Sequence, residues 1–188
     1  MKIKTILALA IAACFIQSCA IRITGLTSGY ERISESDKKL VAFGTKDICG
    51  LPNNQNIIPI NGLQLKDCLA QTDSALVYSW IPHCPGKNCV PLNVCQAYAS
   101  RHNLTLYIVA QEYDMEMMKA QNHGEKPIFV IDHKYYGSNI RNNYTTKFDK
   151  DLLGDAYQVK GARDALFTVF YKDQYVRTIP SVLEPITD

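Results

Sequence analysis

From Ser74 onward the chain alternates short apolar runs with segments of helical spacing. The run ALVYSWI, residues 75–81, is rich in aromatic and β-branched residues and predicts a buried strand. In VPLNVCQAYASRHN, Leu92, Cys95 and Ala99 recur at i, i+3 and i+7, with Val94 and Tyr98 beside them, which predicts a helix. Proline is tolerated only in the first turn of a helix, so Pro91 places the start near Asn88 or Cys89. LTLYIVA, residues 104–110, reads as a second strand. Asp114 can cap a helix over MEMMKAQNH, and Gly124 can stop it. PIFVID is a third strand, a helical stretch is placed around Thr146–Leu153, and LFTVFY and QYVRTI form a hairpin about Lys172–Asp173.

Before Ser74 the pattern is weaker. SESDKKLVAF begins with capping residues and suggests a short helix, and CGLPNNQN is loop. IIPI is a short strand despite Pro59. LQLKDCLAQ sets Leu65, Cys68 and Leu69 on one helical face. From Ser74 the order is strand, helix, strand, helix, strand, helix and two strands. Such alternation with short connections indicates an α/β domain, with a central mixed sheet flanked by helices and an antiparallel edge made by the hairpin. A chain of 188 residues suits one such domain, and its composition, 47% hydrophobic and 20% charged, is globular.

The N-terminus changes the compartment. Lys2 and Lys4 precede an apolar run, Thr5–Ile16, too short for a spanning helix and suited to a signal peptide. Ser18 and Cys19 follow. IQSC, residues 16–19, resembles the lipobox of bacterial lipoproteins, in which the cysteine is lipidated and becomes the first residue. The resemblance implies a signal peptide over residues 1–18, a lipid-anchored tether and N-terminal extension over 19–56, and the folded domain over 57–188. It also implies a protein held to a membrane through lipid on Cys19, in the bacterial cell envelope and facing the periplasm. The other reading of the leader is an ordinary secretory signal cut near Ala20. Loss of Lys2 and Lys4 would leave 18 basic against 18 acidic residues. With no basic run, nucleic acid is not an expected partner.

Export places the remaining cysteines where disulfides persist. Cys49, Cys68, Cys84, Cys89 and Cys95 are an odd set, so at least one is free or paired between molecules. Cys84 and Cys89 are joined by a short loop containing Pro85-Gly86. A Cys49–Cys68 bond is possible but not deducible, and Cys95 faces the core on the helix pattern. Zinc on Cys84, Cys89, Cys95 and His102 lacks the C-x₂-C spacing of a zinc knuckle. No metal or cofactor is expected.

The element order, with cysteines at the end of the first strong strand and the start of the next helix, resembles the thioredoxin-like fold. It is closest to the periplasmic, membrane-anchored thiol–disulfide branch, over roughly Ile57–Ile179. Trp80 stands four residues before Cys84, as a family tryptophan stands before the first active-site cysteine. The resemblance implies that Cys84 attacks a protein disulfide partner and that Cys89 resolves the mixed disulfide, with Trp80 and His83 in support. On their own, Trp80 reads as core packing and His83 as an exposed loop residue that could also raise the thiolate fraction of Cys84.

Three features depart from the family pattern. The pair is CxxxxC rather than CxxC. The position of the family's cis-proline falls on Ala165, or in a second register on Pro127. The buried acid two residues before the tryptophan is Tyr78. Two alternatives to thiol–disulfide exchange remain open. One is a non-catalytic binding module whose disulfide is a staple. The other is a copper-delivery protein, because PHCPGKNCVP resembles the HCPxxCP-like segment of such proteins. Those proteins add a late histidine, which VKGARDALF lacks; His133 is the nearest substitute.

Overall fold

The computed structural model describes residues 25–84 and 90–183. Six strands form one sheet: β1 Ile57–Ile60, β2 Ser74–Trp80, β3 Thr105–Ala110, β4 Ile128–Ile131, β5 Phe167–Tyr171 and β6 Gln174–Ile179. Their spatial order is β1-β4-β3-β2-β5-β6. The first four run parallel to one another, β5 is antiparallel to β2, and β6 is antiparallel to β5. Helices are α1 Glu35–Lys38, α2 Gly62–Ala70, α3 Leu92–Arg101, α4 Met115–Gln121 and α5 Arg141–Leu153. The fold is α/β with a central mixed sheet flanked by helices, in agreement with the thioredoxin-like layout.

The inner strands read as continuous apolar runs because both faces of the sheet are covered. Leu76, Tyr78 and Trp80 of β2 join Ile108, Ile128 and Val130 on one face, under Leu92, Cys95 and Ala99 of α3 and Met115 and Met118 of α4. Ala75 and Val77 point the other way, with Val109, Phe129 and Ile131, under Leu65 and Leu69 of α2 and Phe148 and Leu152 of α5. The period of two along each strand divides one sheet between two cores.

Local chemistry sets the helix ends. Asn61 caps α2: its side chain accepts the Gln64 amide at 2.9 Å, and Gln64 Oε1 accepts the Asn61 amide at 3.1 Å. Asp114 caps α4 by accepting the Met117 amide at 3.1 Å. Gly62 is required where α2 meets α5, since a Cβ there would lie 2.5 Å from the Phe148 carbonyl oxygen.

Two helix limits differ from the sequence pattern. Val90 and Pro91 are not helical, and α3 begins at Leu92, whose amide is capped by Gln121 Oε1 at 3.0 Å. Pro91, with ψ at 144°, is the residue before the helix and not part of its first turn. Meanwhile α5 extends back to Arg141, a polar first turn with no apolar signal.

Residues 25–56 lie against the domain. The Tyr113 amide donates to the Ser28 carbonyl at 2.6 Å, and Val41 bridges to Ile57 at the β1 edge. A disulfide between Cys49 and Cys68 ties this segment to α2. The leader and Cys19 lie outside the described residues. Among those described, no helix is long and apolar enough to cross a membrane.

Candidate functional site

The parallel strands β1 to β4 end at the same side of the sheet, and the chemistry-bearing residues collect there. The pairing of β2 with β3 continues past Ala110, where the Gln111 amide donates to the Trp80 carbonyl at 2.8 Å. Two chain segments therefore leave the sheet side by side. One carries Ile81, Pro82, His83 and Cys84, and the other carries Glu112, Tyr113 and Asp114.

Cys84 is disulfide-bonded. Its amide donates to the Ile81 carbonyl at 3.1 Å, closing a tight turn. The loop that follows, including Cys89, lies outside the described residues. Beside Cys84 is a mostly apolar cavity of about 630 Å³, with Trp80, Pro82, Val90, Leu92 and Met117 in its wall. Trp80 is buried and belongs to the core, though its edge reaches this cavity.

His83 is about half exposed, and its Nε2 stands 2.7 Å from Asp114 Oδ2. The two atoms are in contact, which is a charge pair only when the imidazole is protonated, and Oδ2 has no hydrogen-bond partner. Asp114 is buried, with its other oxygen committed to the helix cap. Two residues earlier, Glu112 is 2% exposed and its Oε1 also lacks a partner. Burial pushes the Glu112 carboxyl up; the charges of Arg141, then His83 and Arg32, pull it down, and Asp114 adds to the rise.

The two other cysteine-related positions are structural. Cys95 is a free, fully buried thiol, pushed up to about 12 by desolvation. Such a thiol is inert toward exchange at neutral pH. Tyr78 stacks on Phe167, centroids 4.5 Å apart, and its hydroxyl donates to the Val90 carbonyl at 3.2 Å. Burial raises this phenol to about 12, so it holds the exit of the cysteine loop and does not replace an acid.

The sheet order separates the two registers for the cis-proline position. β5 is antiparallel to β2, with Phe167 opposite Tyr78 and the Ser79 amide donating to the Leu166 carbonyl at 2.8 Å. Ala165 therefore comes in at the Cys84 end of the sheet. Pro127 precedes a strand parallel to β2 and lies at the other end. Among the described residues no peptide bond is cis.

His133 follows β4 and is buried among Tyr30, Phe43, Tyr113 and Tyr144. Its Nδ1 has no hydrogen-bond partner, and desolvation lowers its affinity for a proton. Among the described residues, no group of three or more histidine, cysteine, aspartate or glutamate side chains could hold a metal ion. Of Tyr135 and Tyr136, the first is exposed, and the second is buried with its hydroxyl on Asp151 Oδ2 at 2.9 Å.

The sequence pattern found Cys84, Trp80 and His83, and marked Asp114 only as a helix cap. It had no signal for Glu112. A single acid in EYDMEM stands out only once β3 is known to lie beside β2.

No protein-family model, curated protein or solved structure matches this chain.

Proposed function

We propose that this protein carries out thiol–disulfide exchange through Cys84 and Cys89. The observation that supports this most is a disulfide-bonded Cys84 at the C-terminal end of the central parallel strand, at the wall of an apolar cavity that can take a substrate side chain. Cys89 is its proposed partner, since residues five apart in sequence, with the turn-favouring Pro85-Gly86 between them, can reach the Cα separation a disulfide needs. In the reducing direction, the Cys84 thiolate attacks a substrate disulfide, forming a Cys84–substrate bond and releasing one substrate thiolate. Cys89 then attacks Cys84, restoring the intramolecular disulfide and releasing the second thiolate. Two electrons pass from the cysteine pair to the substrate; the oxidising direction is the reverse.

The rival reading is a thioredoxin-like binding module with a structural disulfide. The amide end of α3 supports it, since Leu92 is eight residues past Cys84 and already capped by Gln121. The helix dipole acts over about one turn and so gives Cys84 little help. The absence of a proline at Ala165 supports it as well.

Insulin reduction by the mature protein, lost in Cys84→Ser, is the expected result. A wild type that neither reduces insulin nor accepts electrons from a reduced thioredoxin-type donor would leave the binding module. Disulfide mapping that pairs Cys84 with any cysteine other than Cys89 would remove the proposed pair.

The same proposal places the protein on a bacterial membrane through lipid on Cys19, facing the periplasm. Its support is the leader and IQSC. Dual or triple acylation gives firm attachment where a single chain does not. Cys19→Ala should move the protein to the soluble fraction or stall its processing; unchanged fractionation rejects the anchor.

A further inference from the structure

The end of β3 carries two buried carboxylates, and each has an oxygen with no structural task. Asp114 Oδ1 caps α4, but Oδ2 has no hydrogen-bond partner and faces His83 Nε2 at 2.7 Å. Glu112 Oε1 is likewise unpartnered. Burying carboxylates without full hydrogen bonding is costly, and such groups concentrate where charge is used. His83 extends from this buried pair to the surface: its side chain is 52% exposed against 7% for Asp114, and the next residue is Cys84.

We propose that His83 and Asp114 form a dyad that takes and returns the proton of the Cys84 thiol. This rests on the exchange reading of Cys84. His83 is the base, and Asp114 is a positioning residue that orients the ring and stabilises its imidazolium. The Cys84 thiol passes its proton to neutral His83, leaving a thiolate beside a cation. When that thiolate breaks a substrate disulfide, the released substrate thiolate takes the proton back. The step starts from reduced Cys84, which a reduced thiol donor must first release from its disulfide.

The dyad supplies what two features of this chain withhold. The position two residues before Trp80 is a phenol that holds Val90, and the N-terminus of α3 is capped and distant. The acid comes instead from the N-cap of α4, four residues past the end of β3. Glu112 feels the charges of both His83 and Asp114, and also those of Arg141 on α5 and Arg32 on the N-terminal segment; the Tyr144 phenol of α5 in turn feels Glu112 and Arg141.

The test is the pH dependence of Cys84 alkylation by iodoacetamide in the reduced full-length mature protein, quantified at Cys84 by fragment-resolved mass spectrometry. Asp114→Asn keeps a side-chain oxygen to cap α4, so the fold should survive, which far-UV circular dichroism checks. Removal of an opposite charge within contact distance of the base should lower the Cys84 rate at pH 7 roughly five- to tenfold. The rate at pH 10, where the thiol ionises unaided, should be unchanged. His83→Gln should give a similar loss, and Asp114→Asn should add nothing in the His83→Gln background. A structural role for Asp114 would not produce that pattern. The dyad is rejected if Asp114→Asn leaves the pH 7 rate within twofold of wild type, or if its effect persists in full without His83. Alkylation reports on Cys84 independently of any partner. A shifted profile with no insulin reduction keeps the dyad and removes exchange, whereas insulin reduction with an unshifted profile removes the dyad alone.

Discussion

Cys68 and Cys84 are both disulfide-bonded, and their surroundings differ in every respect that governs thiol chemistry. Cys68 enters its bond from the last turn of α2, with no exposed surface, among Leu65, Leu69 and the inner face of the sheet. Its partner Cys49 lies 19 residues away in the N-terminal segment, where Lys126 Nζ donates to the Cys49 carbonyl at 2.8 Å. Cys84 lies where β2 has left the sheet, in the wall of a cavity, next in sequence to a half-exposed histidine that touches the buried Asp114. The first arrangement closes a long loop around an apolar core, and the second keeps a sulfur within reach of charge and solvent. Surroundings separate a staple from a candidate reactive site where cysteine spacing alone does not.

The largest effect should come from removing the staple. Replacing Cys49 and Cys68 together with serine should lower unfolding stability by about 3 kcal/mol, the chain-entropy value for a loop of this length. Cys84→Ser should cost about 2 kcal/mol, the value of the same model for the short loop of the proposed Cys84–Cys89 pair. Urea unfolding of both variants checks this; equal or inverted losses would break the comparison.

A glycine pair sharpens it next. Gly62→Ala, on the Cys68 side, forces a Cβ against the backbone of α5 and should cost about 2 kcal/mol. Gly124→Ala, at the cavity beside Cys84, meets nothing closer than 3.6 Å and should stay within about 0.5 kcal/mol of wild type. Thermal unfolding of the two proteins reads the difference.

Titration separates the regions further. Burial, with the neighbouring charge of Asp164, raises the Asp149 carboxyl to about 7. The folded protein then holds that proton more tightly than the unfolded chain. The associated stability is complete below the ordinary carboxyl range and is lost as pH rises through 7. Asp149→Asn should remove this slope and gain on the order of 1–2 kcal/mol at pH 8, with little change at pH 4. Urea midpoints across that range are the measurement.

The smallest effect concerns His133. Its proton affinity is lowered by burial, so its contribution is present above the ordinary histidine value and is lost as pH falls below it. His133→Phe should flatten the stability profile between pH 7 and 5 by about 1 kcal/mol or less. A slope unchanged in the variant would show that acid sensitivity comes from elsewhere.

Much of the fold was legible in one dimension. The runs IIPI, ALVYSWI, LTLYIVA, PIFVID, LFTVFY and QYVRTI all became strands, since apolar and β-branched runs bounded by turn residues have few other ways to bury themselves. Asp114 caps α4 as its chemistry predicts, whereas Gly124 does not end it, since the helix stops at Gln121 with Asn122 as its C-cap. The first turn of α5, Arg141 to Tyr144, was not legible because its residues are mostly polar and its anchor is the buried Tyr144. The start of α3 was misplaced because Pro91 fits both the first helical turn and the residue before it. Gln121, a residue of α4, provides the amide cap at Leu92.

The sequence alone determined the α/β class, the placement of Cys84 at the end of a buried strand, and the burial of Cys95, because each follows from local periodicity. Only the tertiary structure decided the order β1-β4-β3-β2-β5-β6, and with it which distant residues meet. That order sets Ala165 at the Cys84 end and Pro127 at the other, pairs Cys49 with Cys68, and brings Asp114 to His83 across 31 positions of sequence. Strand periodicity fixes which face a side chain takes, whereas strand neighbours depend on how whole helices and both cores pack. Contacts between strand ends, where the candidate chemistry lies, are settled at that last level.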